Sequence, residues 1–320
     1  MASSISGTKK LIKRQIRYGK IYDVTYPFIK NSKIYVHTNE NIDECFKYFD
    51  FRHINNALVV LSSGDYIFNL LANNVLNIDA FDTNQLTEYY VFGLKMALIK
   101  KYNYYEYLNI LKRLTSDNIS VEETTDIILG LIPYMEEKYQ KHWTKIVLYN
   151  KKKQENREKT FNLLHLIGYE THCSNLMVNT YLKNEENYNL VKENLKKANI
   201  SFKCANAVNL HKDFNGKYDL ILLSNILDFL SNEWGDLWGY RRFKELTNNL
   251  HTITSDNGTI LLAYAITPEL PKVIGHSSVK INEIEEETHE IPSFHGHDYK
   301  DVLILSRKRK ECVYGNEDRK

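Results

Sequence analysis

Short apolar runs alternate with helical periodicity near the start of this chain. Residues 57–61, Ala-Leu-Val-Val-Leu, form the kind of apolar, β-branched run that is typical of a buried parallel strand. Small polar residues follow at 62–65, and apolar residues then recur at helical spacing over 67–75. A second strand is predicted at 77–81, ending beside Asp82. This order of strand, small-residue turn, helix, strand and terminal acid predicts the first half of a nucleotide-binding βαβ unit.

The chain then remains helical in pattern for a long distance. Apolar residues recur at intervals of three and four from Leu86 onward, and further helices are predicted at 104–114, 120–131, 133–149 and 159–167. This stretch is longer than an ordinary crossover, so we expect a helical insertion between strands 2 and 3. Such an insertion would lie near the acceptor side of a ligand site, and plain additional packing is the alternative.

The later strand signals complete the prediction of the fold. Further strands are expected at 200–205, 218–223 and 258–264, followed by an antiparallel pair at 271–281 and 301–306. We therefore predict an α/β fold of the Rossmann-like, class I methyltransferase type, with a mostly parallel sheet and the helical insertion. The predicted parts are an N-terminal helical cap at 1–50, the two halves of the Rossmann-like domain at 51–101 and 186–310, the insertion at 102–185 and a polar tail at 311–320.

Composition narrows the choice of partners and compartment. The formal charge of the 320-residue chain is +2, close to neutral, which gives no support to a nucleic-acid partner. The cysteines are far apart in sequence without metal-ligand spacing, which favours free thiols in the cytoplasm. No apolar run is long enough for a transmembrane helix. The His-Gly-His stretch at 295–297, with His289 before it, favours a solvated loop over a metal site, so no metal is expected.

The turn after the first strand suggests the cofactor. A small-residue turn at Ser62, Ser63, Gly64 and Asp65 lets the backbone approach a ligand, and an acid about 20 residues further on can accept both hydroxyls of a ribose. That acid is Asp82. Only one of the three glycines of a dinucleotide motif is present, which favours S-adenosylmethionine over NAD or FAD. A dinucleotide and a sheet without a ligand remain the alternatives.

Two later strand ends supply further candidate contacts. Asn206 and Ala207 follow the predicted third strand, where a polar side chain and a backbone N–H would meet the adenine edge. Ser224 and Asn225 follow the fourth strand, next to the switch point at which such sheets bind ligands.

Three pieces of the sequence resemble a known family. LSSGDYIFNLL, IDAFDTNQLTEYYVFGLKMALIK and YDLILLSNILDFL are similar to bacterial proteins that include the S-adenosylmethionine:diacylglycerol 3-amino-3-carboxypropyl transferases of betaine-lipid synthesis. The likeness covers residues 33–105 and 181–230. It implies that Asp82, Thr83 and Asn84 contact the cofactor. It implies the same for Ser224 and Asn225 at the end of strand four. The piece IYVHTNENIDECF resembles the segment that precedes strand one in that family and lies over the cofactor.

The resemblance also implies a reaction. S-adenosylmethionine would be the co-substrate, and its 3-amino-3-carboxypropyl group would pass to an unidentified small-molecule or lipid acceptor. One alternative is methyl transfer from S-adenosylmethionine. The other is a nucleoside-binding protein without catalytic activity. Candidate catalytic residues are Asp228, Tyr35 and His37, while Asp65 is favoured as a contact to the methionyl amine. A helix-capping carboxylate is the alternative for Asp228 and a surface histidine for His37.

Residues 9–20 are half Lys and Arg, with a few apolar residues among them. This composition suits either peripheral contact with an anionic membrane or an ordinary solvated helix.

Overall fold

Seven strands of the described residues form one sheet. The computed structural model describes residues 10, 13–14, 16–18, 37–114, 119–156, 178–226, 236–265, 284–293 and 296–308, with the backbone alone at 236–242, 265 and 296–299. The strands are β1 Asn56–Val60, β2 Asn77–Asp82, β3 Asn199–Cys204, β4 Tyr218–Leu222, β5 Thr254–Ala265, β6 Ile284–Ser293 and β7 Gly296–Lys308. Their order in the sheet is β3-β2-β1-β4-β5-β7-β6.

The helices follow the strands in α/β fashion. They are α1 Ile42–Phe46, α2 Asp65–Ala72, α3 Gln85–Glu88, α4 Met96–Lys101, α5 Tyr104–Leu114, α6 Val121–Leu131, α7 Glu137–Glu155, α8 Glu185–Asn194, α9 Leu210–Asp213 and α10 Asp236–His251. A π-helical segment, Tyr89–Lys95, joins α3 to α4 without a break. Single 3₁₀ turns lie at Phe51–His53, Ile132–Tyr134, Thr180–Leu182 and Ala207–Asn209.

The chain divides into two compact units. The first comprises Met1–Arg52 and Val59–Asn206, and the second comprises His53–Leu58 and Ala207–Lys320. In the first unit β2 pairs with β3 in parallel, with Asp82 opposite Cys204. The buried face of α2 and the interior of β2 supply much of its apolar core.

The second unit contains the antiparallel edge of the sheet. β4 pairs with β5 in parallel, whereas β7 pairs antiparallel with both β5 and β6. β7 therefore lies between β5 and β6 and reverses the direction of the sheet at this edge. Parallel strands followed by an antiparallel hairpin form a Rossmann-like, class I methyltransferase-type architecture. The predicted fold class is therefore confirmed.

Local capping accounts for several helix boundaries that the sequence predicted. The side chain of Ser120 accepts from the backbone N–H of Glu123 at 3.0 Å, as a capping box requires. Asn41 caps α1 in the same way, accepting from Glu44 N–H at 3.3 Å. α5 begins and ends at the predicted residues.

Other boundaries differ from the prediction. Pro133 does not open α7 but lies in a 3₁₀ turn, since Met135 and Glu136 are extended and the helix begins only at Glu137. The antiparallel partner of β7 is 284–293, whereas the predicted strand at 271–281 lies outside the described residues. The helix predicted at 159–167 also lies outside them. The five-part domain division remains a prediction.

Two of the three histidine positions predicted to lie in a loop lie in strands, and position 295 is outside the described residues. His289 lies in β6, opposite Leu303, and position 297 belongs to β7. Strand pairing of the flanking residues satisfies their backbone groups and leaves only a short connection between the strands. Within the part of the chain that the structure describes, no helix has the length and apolar character needed to cross a membrane.

Candidate functional site

The first loop, residues 61–64 between β1 and α2, has a strained backbone. Ser62 and Gly64 adopt left-handed conformations, with φ of 42° and 81°. At Gly64 a side chain is also excluded by space, because an added Cβ would lie 2.5 Å from Cγ1 of Val91. Left-handed residues turn the chain sharply out of the strand and into the helix. The loop therefore keeps its backbone close to the carboxyl ends of β1 and β2.

Asp82 lies at the carboxyl end of β2 and joins that strand to the first loop. Its carboxylate accepts from the Ser62 N–H at 3.1 Å and from the Asn84 N–H at 2.8 Å. The residue is half-buried. Burial raises the pKa of Asp82 to about 6, in spite of these hydrogen bonds. Its charged form would thus be stabilised by further donors, such as the hydroxyls of a ribose.

Thr83 and Asn84 continue from this acid. The side chain of Asn84 accepts from the Leu86 N–H at 3.0 Å and so caps α3, while Thr83 is exposed. The same edge includes the start of the segment after β3, because the Ala205 N–H donates to the Asp82 carbonyl at 3.0 Å. Asn206 follows and is exposed. The structure therefore brings Asp82 and Asn206 to one edge of the first unit, as the sequence predicted.

Asp65 is the centre of a buried polar cluster. Its Oδ1 accepts from Lys95 Nζ at 2.6 Å and from the Tyr181 hydroxyl at 3.0 Å. Its Oδ2 accepts from the Thr38 N–H at 2.6 Å and from Ser63 Oγ at 2.8 Å. We call these five residues the Asp65 cluster. They come from the pre-strand segment, the first loop, α2, the π-helical segment and the 3₁₀ turn before α8, so one carboxylate connects five parts of the chain.

The ion pair of this cluster is fully enclosed. The side chains of Asp65 and Lys95 are both 0% exposed. Burial acts to raise the pKa of Asp65, but the charge of Lys95 and the hydrogen bonds outweigh it, and the pKa lies below its usual value. Both oxygens are occupied by protein donors, which favours a structural role for Asp65. Its predicted contact with the methionyl amine stays a prediction.

Lys95, at the end of the π-helical segment, forms hydrogen bonds that hold the first loop in place. Besides Asp65, its Nζ donates to the Ser63 carbonyl at 2.8 Å, and it lies 5.5 Å from the centroid of the Phe68 ring. A π-helical turn changes the direction of the side chains on a helix and is frequent at functional sites. Here it brings the one charged side chain of an apolar helical stretch, 89–99, to the loop.

His37 lies beside this cluster in the segment before α1. The residue is 7% exposed, so the alternative of a surface histidine is wrong, and neither ring nitrogen has a hydrogen-bond partner among the described residues. Nearby, the Tyr66 hydroxyl donates to buried Glu40 at 2.5 Å, which holds the same segment against α2.

The remaining candidates belong to the second unit. Ser224 follows β4 with a left-handed φ of 59°, and its carbonyl accepts from the Tyr264 N–H at 3.0 Å. Asn225 is half-buried. Ala207 is buried at the start of a 3₁₀ turn. Cofactor contacts at these positions stay predictions.

Some predicted residues fall outside this description. Tyr35 and Asp228 lie outside the described residues, so their catalytic roles stay predictions. Of residues 9–20, five described side chains are exposed, namely Lys10, Lys13, Arg14, Arg17 and Tyr18. Membrane contact there is likewise a prediction. Over the described residues no group of three or more His, Cys, Asp or Glu side chains is arranged to hold a metal ion.

Sequence patterns did not reveal three members of the Asp65 cluster. Lys95 lies 30 residues from Asp65 and Tyr181 lies 116 residues away, so local spacing carries no information about either contact. The available signal for Lys95 was a single charge within the apolar run from Tyr89 to Ile99. Thr38 contacts Asp65 through its backbone N–H, and a pattern of side chains in the sequence cannot reveal such a contact.

Comparisons with known proteins give distant structural likenesses. No family model and no curated protein matches the chain. An rRNA methylase from Streptococcus thermophilus is 8% identical, with 84% of this chain and 95% of that chain covered and a TM-score of 0.35. The N-methyltransferase NodS from Bradyrhizobium japonicum, solved with S-adenosyl-L-homocysteine, is 8% identical, with 95% and 99% covered and a TM-score of 0.36. Because these TM-scores are low, the fold assignment rests on strand order and direction.

Proposed function

We propose that this protein is an S-adenosylmethionine-dependent transferase. The observation that carries the proposal is the junction between the first loop and β2. There the Ser62 amide binds the Asp82 carboxylate at 3.1 Å, and that carboxylate has a raised pKa and partial solvent access. An acid at the end of this strand, next to the first loop, suits a ligand with vicinal hydroxyls.

The electrostatics of the first loop favour a sulfonium nucleoside over a dinucleotide. A pyrophosphate binds where helix N–H groups and glycines are accessible and no acid competes. At the N-terminus of α2, Asp65 already places a carboxylate, and Gly64 is the one glycine of the loop. Adenosylmethionine has the ribose and adenine of a dinucleotide but no phosphate, so it does not need an anion site here.

Individual residues have distinct tasks in this proposal. Asp82 accepts from the ribose hydroxyls, the first loop lies along the nucleoside, and Asn206 meets the adenine edge. When bound, adenosylmethionine supplies a sulfonium whose attached carbons are open to attack by a nucleophile. The protein contributes by positioning that nucleophile and by excluding water. Asp228 as a base toward the acceptor belongs to the proposal as well.

Methyl transfer is our first choice for the reaction. Aminocarboxypropyl transfer was expected from short sequence pieces alone, whereas the methyltransferase-type strand order, β3-β2-β1-β4-β5-β7-β6, supports methyl transfer. The two reactions leave different nucleosides. Attack on the methyl carbon releases S-adenosylhomocysteine, whereas attack on the γ-carbon of the methionyl arm releases methylthioadenosine.

Product analysis tests the proposal. The protein would be incubated with adenosylmethionine labelled in its methyl group and with aqueous and lipid extracts of cells, and products would be separated by chromatography with mass detection. Methyl transfer gives adenosylhomocysteine and labelled acceptor; aminocarboxypropyl transfer leaves the label in methylthioadenosine. A reaction without the protein serves as the control. Turnover to neither nucleoside above that control would refute the transferase and favour a nucleoside-binding protein.

A further inference from the structure

His37 is a buried imidazole whose two ring nitrogens both lack a partner. The residue is 7% exposed, and neither Nδ1 nor Nε2 makes a hydrogen bond within the part of the chain that the structure describes. A neutral imidazole carries one N–H donor and one acceptor lone pair. Leaving both unmatched in a buried position is unfavourable, and buried polar groups in folded proteins are otherwise almost always paired. The two vacant positions on this ring therefore indicate a ligand.

The next residue in the sequence, Thr38, places His37 near the charged side chains of Asp65 and Lys95. The Thr38 N–H donates to Asp65 Oδ2 at 2.6 Å, which ties this segment to the Asp65 cluster. The charges of Lys95 and Asp65 both act on the imidazole. The carboxylate of Asp65 is occupied by its four donors, whereas the ring nitrogens of His37 have unused hydrogen-bonding capacity among the described residues.

The ring is neutral at physiological pH. Burial, and then the charge of Lys95, lower the pKa of His37 to about 4, and Asp65 opposes this only in part. Such a ring is a poor general base near pH 7, because efficient proton transfer needs a pKa close to the working pH. As a hydrogen-bonding group it is well suited, since it offers a donor and an acceptor together.

We propose that the imidazole of His37 binds the α-amino-carboxylate end of adenosylmethionine. This inference rests on the proposed function. The N–H of the ring would donate to the ligand carboxylate, which the positive charge of Lys95 also favours. The Asp65 cluster, just beyond the first loop, would position the segment that carries His37. His37 is thus a cofactor-binding residue rather than the base toward the acceptor.

Three nucleosides separate this role from a purely structural one. Adenosylmethionine and adenosylhomocysteine carry the amino-acid end, whereas methylthioadenosine has the same nucleoside without it. Titration calorimetry would compare all three with wild type, His37→Phe and His37→Gln. His251→Phe is the matched control, because His251 is also a histidine that is 7% exposed but belongs to the second unit.

We expect a selective loss of affinity. Removing hydrogen bonds to charged groups should weaken adenosylmethionine and adenosylhomocysteine by about tenfold or more in His37→Phe and change methylthioadenosine by less than about twofold. His37→Gln should recover part of the loss, and His251→Phe should bind all three like wild type. Equal weakening of the three nucleosides, or no weakening, overturns the role of His37 while leaving the proposed function intact. Wild type that binds none of them overturns the proposed function itself.

A measurement on wild type guards against a variant that does not fold. In ¹⁵N-labelled wild type the imidazole resonances of His37 are assigned from through-bond and through-space correlations within the wild-type protein. Adenosylmethionine should shift both ring nitrogens, whereas methylthioadenosine should leave them in place. Identical shifts with both nucleosides, or none with either at saturation, contradict the contact.

Discussion

Neutralising the buried ion pair of the Asp65 cluster offers a quantitative test of how the first loop is held. Lys95→Met removes the ammonium and keeps an unbranched chain of similar length, leaving Asp65 with the donors from Ser63, Thr38 and Tyr181. Asp65→Asn removes the carboxylate charge and leaves the Lys95 ammonium without its charged partner. Each change strands a charge at a site that is 0% exposed.

The expected magnitudes follow from desolvation. Removing one partner of a buried pair costs about 3–5 kcal/mol, because the remaining charge is buried without compensation. This is a large share of the roughly 5–15 kcal/mol that stabilises a typical domain. The double variant carries no stranded charge, so its loss should be smaller than the sum of the single losses by about 2–3 kcal/mol.

The assay is urea unfolding of the wild type, the two single variants and the double variant, followed by circular dichroism. Equal m-values across the four proteins would establish that the losses are changes in stability rather than in the unfolded state. Additive losses, or single variants that lose less than about 1 kcal/mol, would refute the inference that this pair holds the loop.

Three further changes test separate parts of the structure. Gly64→Ala should cost about 2–4 kcal/mol, because φ is +81° and the new Cβ would meet Val91 at 2.5 Å; urea unfolding measures this, and a neutral effect would contradict the geometry. Ser120→Ala should cost about 1 kcal/mol by loss of the α6 cap, Ser120→Asn should cost less, and equal losses would exclude a capping role. Burial lowers the pKa of His142 to about 4 from an ordinary 6.5, so the wild type should lose stability as the pH falls through that window, when unfolding allows the ring to charge. His142→Gln should remove about 3 kcal/mol of this dependence, and parallel stability profiles of the two proteins would disprove it.

Elements with local signals were predictable from sequence. The apolar run before the first loop, the acid at the end of β2 and the capping box at Ser120 all lie within a few residues of the structure that they specify. Asp82 could be named because a βαβ unit places the end of its second strand beside the first loop. The observed Ser62 to Asp82 hydrogen bond is the contact that this topology requires.

The Asp65 cluster could not be predicted, because its contacts are long-range. Tyr181 reaches Asp65 across 116 residues, and the π-helical turn that aims Lys95 inward has no sequence signature of its own. The burial of His37 follows from the hydrogen bond of its neighbour to Asp65, which is 27 residues from Thr38. Such features depend on tertiary packing rather than on periodicity.

Binding of adenosylmethionine is the measurement that tests the central claim most directly. Wild type and Asp82→Asn would be titrated by calorimetry at pH 7.5 and at pH 5. We expect wild type to bind at pH 7.5 and to weaken at pH 5, because the pKa of Asp82 is about 6 and a protonated acid accepts ribose hydroxyls poorly. Asp82→Asn should bind about tenfold or more weakly at pH 7.5, with little dependence on pH. Equal affinity of folded Asp82→Asn and wild type, or no binding by wild type, would contradict the account.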